Sequence, residues 1–487
     1  MLLSIVSLIP SGNKYFNFID PDNIRSTMTE KPRPSIHRKT VKMRHIQGSI
    51  LGRKHGWVMV DIYGEPYERG YAHGYLLYRE IKRSLKVFTK LIETEFDSLI
   101  NYKKDCHRLM YQPIKQHFPE FFQELEGITS GAKSRGVVIT VDDLIHWNAY
   151  LSMFSYYKGG KTRKQFEETP HQRCSAFIAT GSATKKGDIV MAHNTHSDFA
   201  TGQLLNIVLQ IRPTQGHPFV MQTSPGFIAS SSDWFLCSTG VIGCETTISR
   251  TNYTPPFSDV SIPYFCRIRQ AMQYGTTIDD YVAIMTKYNA GDYACSWLLG
   301  DTNTGEIAIF ELGLAKHSIQ RTRDGVFYGM NTAIDFDLRN EETTDDNYMD
   351  LSTSSGARNF RLNHLLNETY YGKIDAGVAK RILADHYDVF LGKTSLNGRG
   401  ICKHGENNED SRSGRVFSLF GCTDGKVTTS KMAKTLSFHG RFGSCCGRPF
   451  HIREYVKQHP KHKHWLGFVE DIASAPWTSI SMDSAKN

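Results

Sequence analysis

Two spacings of apolar residues divide the chain near residue 174. Before it, Trp57-Val58-Met59-Val60-Asp61-Ile62-Tyr63 reads as a strand. Gly64-Glu65-Pro66 is then the turn into a helix, because a first-turn proline has no intrahelical hydrogen bond to lose. Tyr67 to Tyr102 carries Leu76, Leu77, Ile81, Leu85, Phe88, Leu91 and Ile92 at helical spacing. Phe121, Phe122, Leu125 and Ile128 mark a second helix over Pro119 to Ser134, and Thr140 to Asp143 caps a third through Asn148. After Cys174 the runs become short and β-rich: Ile189 to Ala192, Leu204 to Ile211, Phe219 to Gln222, Phe235 to Ile248, Ser296 to Leu299 and Ile307 to Leu312. Asp301 to Gly305 and Arg323 to Gly325 read as hairpin connections. Helical segments return at Ile278 to Tyr288, Ala357 to Leu366 and Ala376 to Asp388. Strands grouped together, with helices segregated between them, predict an α+β fold of packed layers.

This pattern divides the chain into a leader over 1–45, a mainly helical segment over 46–157, a polar linker over 158–173 and a main domain over 174–480. At 487 residues there is enough chain for a sizeable core. The net charge of +9 is modest for that length. It comes from short clusters, and no recognition-helix, zinc-finger or RNA-binding signature accompanies them, so nucleic acid is not an expected partner. No apolar run approaches bilayer-spanning length, so no transmembrane segment is expected. The opening MLLSIVSLIPSG lacks a basic n-region, which leaves the compartment open. Oligomeric state is not readable. The ten cysteines show no C-x-x-C pairing, and His459, His462 and His464 alternate with Lys461 and Lys463, which would repel a cation. No metal or organic cofactor is expected.

The linker ends at Arg173, and Cys174-Ser175-Ala176-Phe177 opens a strand. A cysteine there can be a small buried residue. It can also become an N-terminus after cleavage between Arg173 and Cys174, carrying both a thiol nucleophile and an α-amine to serve as its base. Candidate partners recur downstream. His193, Asn194 and Asp198 stand at the end of the next strand, where an imidazole can polarise, an amide can donate to an oxyanion and a carboxylate can hold a cation. Glu245 and Thr246 lie just inside a β run, Asn289 leaves a helix in Asn289-Ala290-Gly291, and Arg358 and Arg361 share a helical face. Each has a plainer role: a satisfied strand-end histidine, a helix cap and turn at Asn289, surface arginines. The small residues of Glu65 to Gly74 suit close helix packing better than a phosphate cradle. Phe177, Phe199, Phe227, Trp234 and Trp297 lie in or beside these blocks, where they can rim an apolar acyl pocket or fill the core.

The order Glu65-Pro66-Tyr67-Glu68-Arg69-Gly70-Tyr71-Ala72-His73-Gly74, then Leu125 to Ala132, then Cys174-Ser175-Ala176-Phe177 resembles the acyl-coenzyme A:6-aminopenicillanate acyltransferase-like peptidases, which are N-terminal-nucleophile hydrolases. Ser224 to Phe227, Ser238 to Gly240 with Glu245 to Thr247, and Asn289 to Trp297 are more similar still to phospholipase B-like proteins. The resemblance spans roughly residues 50 to 475. It implies a four-layer αββα sandwich whose nucleophile, Cys174, is exposed by self-cleavage and attacks an acyl amide. It also implies His193 at the site of a catalytic histidine or arginine, Asn289 as an oxyanion asparagine, and Arg358 or Arg361 as an active-site arginine. Alternative implications are an esterase acting on glycerophospholipids and an inactive homologue that only binds acyl ligands or partners. Arg173 replaces the usual glycine, Ala192-His193-Asn194 replaces Gly-Arg-Asn, and Glu245-Thr246-Thr247 replaces an asparagine donor.

Overall fold

The computed structural model describes residues 45–96, 98–158, 174–345, 347–407 and 419–482. The expected leader up to residue 44, the linker from residue 159 and Arg173 lie outside them. Seventeen strands are described: β1 Gly48–Lys54, β2 Trp57–Gly64, β3 Ser175–Gly181, β4 Gly187–Asp198, β5 Ile207–Pro213, β6 Phe219–Thr223, β7 Trp234–Cys237, β8 Val241–Thr247, β9 Cys295–Asp301, β10 Glu306–Leu312, β11 His317–Thr322, β12 Gly325–Gly329, β13 Tyr387–Asp388, β14 Lys393–Thr394, β15 Phe420–Thr429, β16 Phe438–Phe442 and β17 Thr478–Ile480. They build a nine-stranded sheet in the order β1-β2-β5-β6-β7-β8-β9-β10-β11, a six-stranded sheet β12-β3-β4-β15-β16-β17, and the small pair β13-β14. β2 pairs with β5 in parallel, Val58 opposite Ile207. The strands predicted before and after residue 174 therefore share one sheet.

Period-two burial explains how these strands are covered. Along β2, Val58, Val60 and Ile62 join an apolar cluster with helical residues, whereas Trp57 and Met59 join a second cluster with residues of the six-stranded sheet. β3 divides likewise: Ala176 and Ile178 face that shared cluster, and Phe177 and Ala179 face a third, with Leu362, Leu366, Val378 and Ile382 of two late helices. Each sheet is thus apolar on both faces, and few of its positions can be polar without a specific partner.

The first seven helices are α1 Pro66–Leu76, α2 Tyr78–Glu95, α3 Leu99–Cys106, α4 Gln112–His117, α5 Pro119–Ser134, α6 Val141–Asn148 and α7 Tyr150–Lys158. The single helix expected over Tyr67 to Tyr102 is three: Leu77 leaves helical geometry at φ −109° and ψ 22°, and Ser98 caps a new start by accepting from the Asn101 N–H. The run Phe235 to Ile248 is a hairpin, turned at Gly240 with φ 99°. The helix expected to reach Asp388 ends at Leu383.

Close helix packing at the Glu65 to Gly74 run is what the structure contains. Gly70 and Gly74 of α1 cross Gly127 and Gly131 of α5 so tightly that a Cβ on Gly70 would fall 2.1 Å from the Glu124 carbonyl, and one on Gly127 2.2 Å from the Tyr67 carbonyl. Buried Arg69 and Arg269 both bond the Glu124 carboxylate at the same crossing, at 2.6 and 2.9 Å. The crossing sets the height of α1 and α6 over the loop Ser224–Ser232. His73 Nε2 accepts from the Gly226 N–H at 3.0 Å, Trp147 Nε1 donates to Pro225, and Asn148 holds both Gly226 and Ile228.

Candidate active site

That loop roofs a cavity of about 40 Å³ at the start of β3. Its walls include Cys174, Thr195 and His196 from the six-stranded sheet, Ser231 to Asp233 and Phe227 from the loop, Tyr293, and Trp147 and Tyr150 from the helices. A volume of this size holds a few water molecules at about 10 to 15 Å³ each. Cys174 is buried and has φ 76°, a left-handed conformation that costs a non-glycine residue about 1–2 kcal/mol. Its strand registers Ser175 opposite Asn194. The backbone of His196 favours the ionised form of the thiol.

Two groups clamp the residue in place. Buried Arg358, on the helix Ser354–His364, donates from Nη1 to the Cys174 carbonyl at 2.6 Å and to Ser175 Oγ at 3.0 Å, and from Nη2 to Asn331 Oδ1 at 3.0 Å. Burial lowers its guanidinium to about 9, while the Cys174 thiolate would raise it. Asn194 accepts from the Ser175 N–H and donates to the Leu383 and Ile401 carbonyls. Its amide is a strand clamp.

Acidic groups gather on the other side. Tyr293 donates to Glu245 at 2.7 Å and lies 3.1 Å from Asp233. Burial pushes the Cys174 thiol well above its usual range, and the Glu245 and Asp233 charges push the same way. Lys426 opposes them: its ammonium, paired with Asp424 at 2.6 Å, donates to Thr195 at 2.8 Å and favours the thiolate.

The remaining expected residues divide clearly. His193 is buried, donates from Nε2 to the Glu245 carbonyl at 3.0 Å, and is held well below the usual histidine range by desolvation and then by Lys426; it does not line the cavity. Asn289 does not line the cavity on which Cys174 lies. Its amide donates to the Gly313 and Leu314 carbonyls and accepts from the Gly291 N–H, so the plainer reading of Asn289-Ala290-Gly291 as a turn is the one observed. Arg361 forms a bidentate pair with Asp385. Asp198 caps the short helix Phe199–Gly202. Thr246 is buried with Gly329 packed against it. Of the five aromatic residues expected at a rim, only Phe227 lines the cavity. Phe177, Phe199, Trp234 and Trp297 fill apolar clusters.

Residues not singled out for the site complete it: Asp233, Tyr293, Asn331, Thr195 and Lys426. One signal was available. β15, buried along all but its last residue, carries Asp424 and Lys426 two apart, on one face, where only a buried partner can hold them.

The phospholipase B family model matches residues 67–310, the span that holds α1, Cys174, Asp233, Glu245 and Tyr293. An uncharacterized protein of Archaeoglobus fulgidus is 24% identical over 308 residues, 61% of this chain and 50% of that protein. A Caenorhabditis elegans protein named "Putative phospholipase B-like 3" is 27% identical over 150 residues, 29% of this chain and 26% of that one. The chain thus matches half or less of the length of these relatives. Among solved structures, a conjugated bile acid hydrolase mutant from Clostridium perfringens is similar at a TM-score of 0.32 and 9% identity, covering 55% of this chain and 88% of that one. A superposition that loose transfers neither residues nor activity. The match of the family model over half of the sequence decides the assignment: the chain belongs to the phospholipase B family.

Proposed function

We propose that the chain is a self-processing cysteine hydrolase of the N-terminal-nucleophile type, with the sheets and helices forming its four-layer αββα sandwich. The observation that carries this reading is the placement of Cys174: first residue before a central strand, on the wall of a small cavity, carbonyl gripped by a buried arginine. The thiol adds to the Arg173 carbonyl carbon. The peptide C–N bond breaks as its nitrogen takes a proton, which frees the Cys174 α-amine, and water opens the resulting thioester to an Arg173 carboxylate and the Cys174 thiol. Cleavage also relieves the left-handed constraint at Cys174. The new α-amine, with an ordinary pKa near 8, accepts the thiol proton at neutral pH. The thiolate then attacks the acyl carbon of a small amide, the amine leaves with a proton, and water hydrolyses the second thioester. Arg358 and Asn194 hold the nucleophile's backbone. A cavity of about 40 Å³ is far below the roughly 300 Å³ of a ligand pocket, so the site has to widen before it admits an acyl group.

The test is intact-mass analysis of the purified protein. Fragments ending at Arg173 and starting at Cys174 are expected, and Cys174→Ala should remain one chain. An active wild type that stays uncut would remove the amine as base. An uncut, inactive protein whose Cys174 resists alkylation would support the ligand-binding homologue instead.

The family match favours a second reading, in which the same nucleophile opens an ester of a glycerophospholipid. A panel of N-acyl amides and lysophospholipids separates the two by kcat/KM. Amide preference is expected under the first reading and ester preference under the second.

A further inference from the structure

Behind the Cys174 strand, four potential metal ligands converge from separate parts of the chain: His386, Cys402, His404 and Cys446, with ligand atoms all within 4.8 Å of one another. We propose that they bind one zinc ion in a closed Cys2His2 site that is structural rather than catalytic.

The spacing supports this directly. Zinc–sulfur bonds of about 2.3 Å and zinc–nitrogen bonds of about 2.0–2.1 Å at tetrahedral angles give sulfur–nitrogen edges of about 3.6 Å. Here Cys402 Sγ lies 3.6 Å and Cys446 Sγ 3.5 Å from the same nitrogen, His404 Nε2. The other nitrogen of that ring, Nδ1, is bonded to Glu406 Oε1 at 2.7 Å. A carboxylate behind a ligating histidine fixes the tautomer that turns the Nε2 lone pair toward the metal. The fourth group, His386, stacks obliquely 5.1 Å from the His404 ring, and its buried Nε2 has no hydrogen-bond partner among the described residues. Two soft thiolates with two imidazoles and no water-facing carboxylate suit zinc over magnesium or calcium.

The site has a position as well as a composition. Cys402 directly follows Ile401, whose carbonyl accepts from Asn194 Nδ2 and His196 Nε2. Asn194 in turn accepts from the Ser175 N–H. A metal at Cys402 and His404 would tie down the loop that buttresses the nucleophile strand from behind.

The full chain, purified without chelator, should retain about one zinc per molecule by elemental mass spectrometry after desalting. Cobalt substituted for zinc should show the absorption of a tetrahedral thiolate site. Cys446→Ser should lose the bound equivalent and the cobalt–thiolate band, while Cys266→Ser, in a separate apolar cluster, should keep both. Glu406→Gln retains every ligand and guards against misfolding of the cysteine variant. Its zinc affinity, by competition with a chromophoric chelator, should fall about 10- to 100-fold. A wild type that retains no zinc after loading overturns the proposal. So does a disulfide among these cysteines in the native protein, or zinc held equally by wild type, Cys446→Ser and Glu406→Gln.

Discussion

Burial and a neighbouring carboxylate act in the same direction on Cys174, both opposing ionisation of its thiol. Glu245→Gln removes the larger of the two charges that raise it. The thiol pKa should then fall, and since the thiolate is the reactive form, alkylation of Cys174 at fixed pH should become faster. Mass spectrometry of iodoacetamide-treated wild type and variant reads the rates; equal rates would mean Glu245 does not act on the nucleophile. His73 offers a test of stability. Burial lowers it from 6.5 to about 4, with the Glu124 charge opposing the shift and the Arg269 charge adding to it, and protonating Nε2 would also break its bond from the Gly226 N–H. Its folded-state pKa is depressed, so the stability it contributes is complete above pH 6.5 and is lost as pH falls through 4. The loss is about 3 kcal/mol. Urea unfolding across that range should show the decline in wild type and a flatter profile in His73→Gln, whose amide oxygen can still accept. At this scale the sequence marked Cys174, Glu245 and Arg358, where chemistry opposed its surroundings, and the structure brings the three together. It left Asn289 open between two roles, because Asn-Ala-Gly serves a turn as well as an oxyanion, and the side chain holds a turn. Asp233, Tyr293 and Asn331 were silent because only tertiary folding assembles them.

Helix and strand identities followed from spacing, since periods of 3.6 and two report which faces are buried. Breaks did not, because Leu77 differs in no local property from the apolar residues around it. Gly70 and Gly74 were legible as a packing surface, their partners Gly127 and Gly131 were not, and the crossing supports a quantitative test. Gly127→Ala places a methyl 2.2 Å from the Tyr67 carbonyl, with backbone on both sides and no side chain to yield. Pushing α1 from α5 should cost about 1–3 kcal/mol, as overpacking does. A melting temperature unchanged by Gly127→Ala would show that the crossing is looser than described. Gly136→Ala is a poor control, since Gly136 itself sits at φ 81°. Gly377→Ala, with only flexible side-chain atoms nearby, is a better one. The metal ligands were invisible at this scale because His386, Cys402, His404 and Cys446 come from several loops without a recognised spacing.

Across the whole molecule, the division drawn at residue 174 separates two textures of sequence but not two bodies. β2 pairs along its length with β5, and α1 to α7 cover the outer face of the sheet to which both belong. Cleavage at Arg173–Cys174 should therefore leave two fragments that run as one species on size exclusion under native conditions and separate only in denaturant. Fragments that part in mild buffer would contradict the shared sheet. The parallel pairing of β2 with β5 has a further consequence, which concerns time rather than place. An uncut chain brings these strands together within one molecule; after cleavage the same pairing must be found by two. Refolding would become second order and dilution-sensitive, so heating and cooling curves of the mature form should show hysteresis where Cys174→Ala retraces its path. The protein would pass its lifetime in a state it reached once as a precursor, guarded by the height of its unfolding barrier rather than by equilibrium.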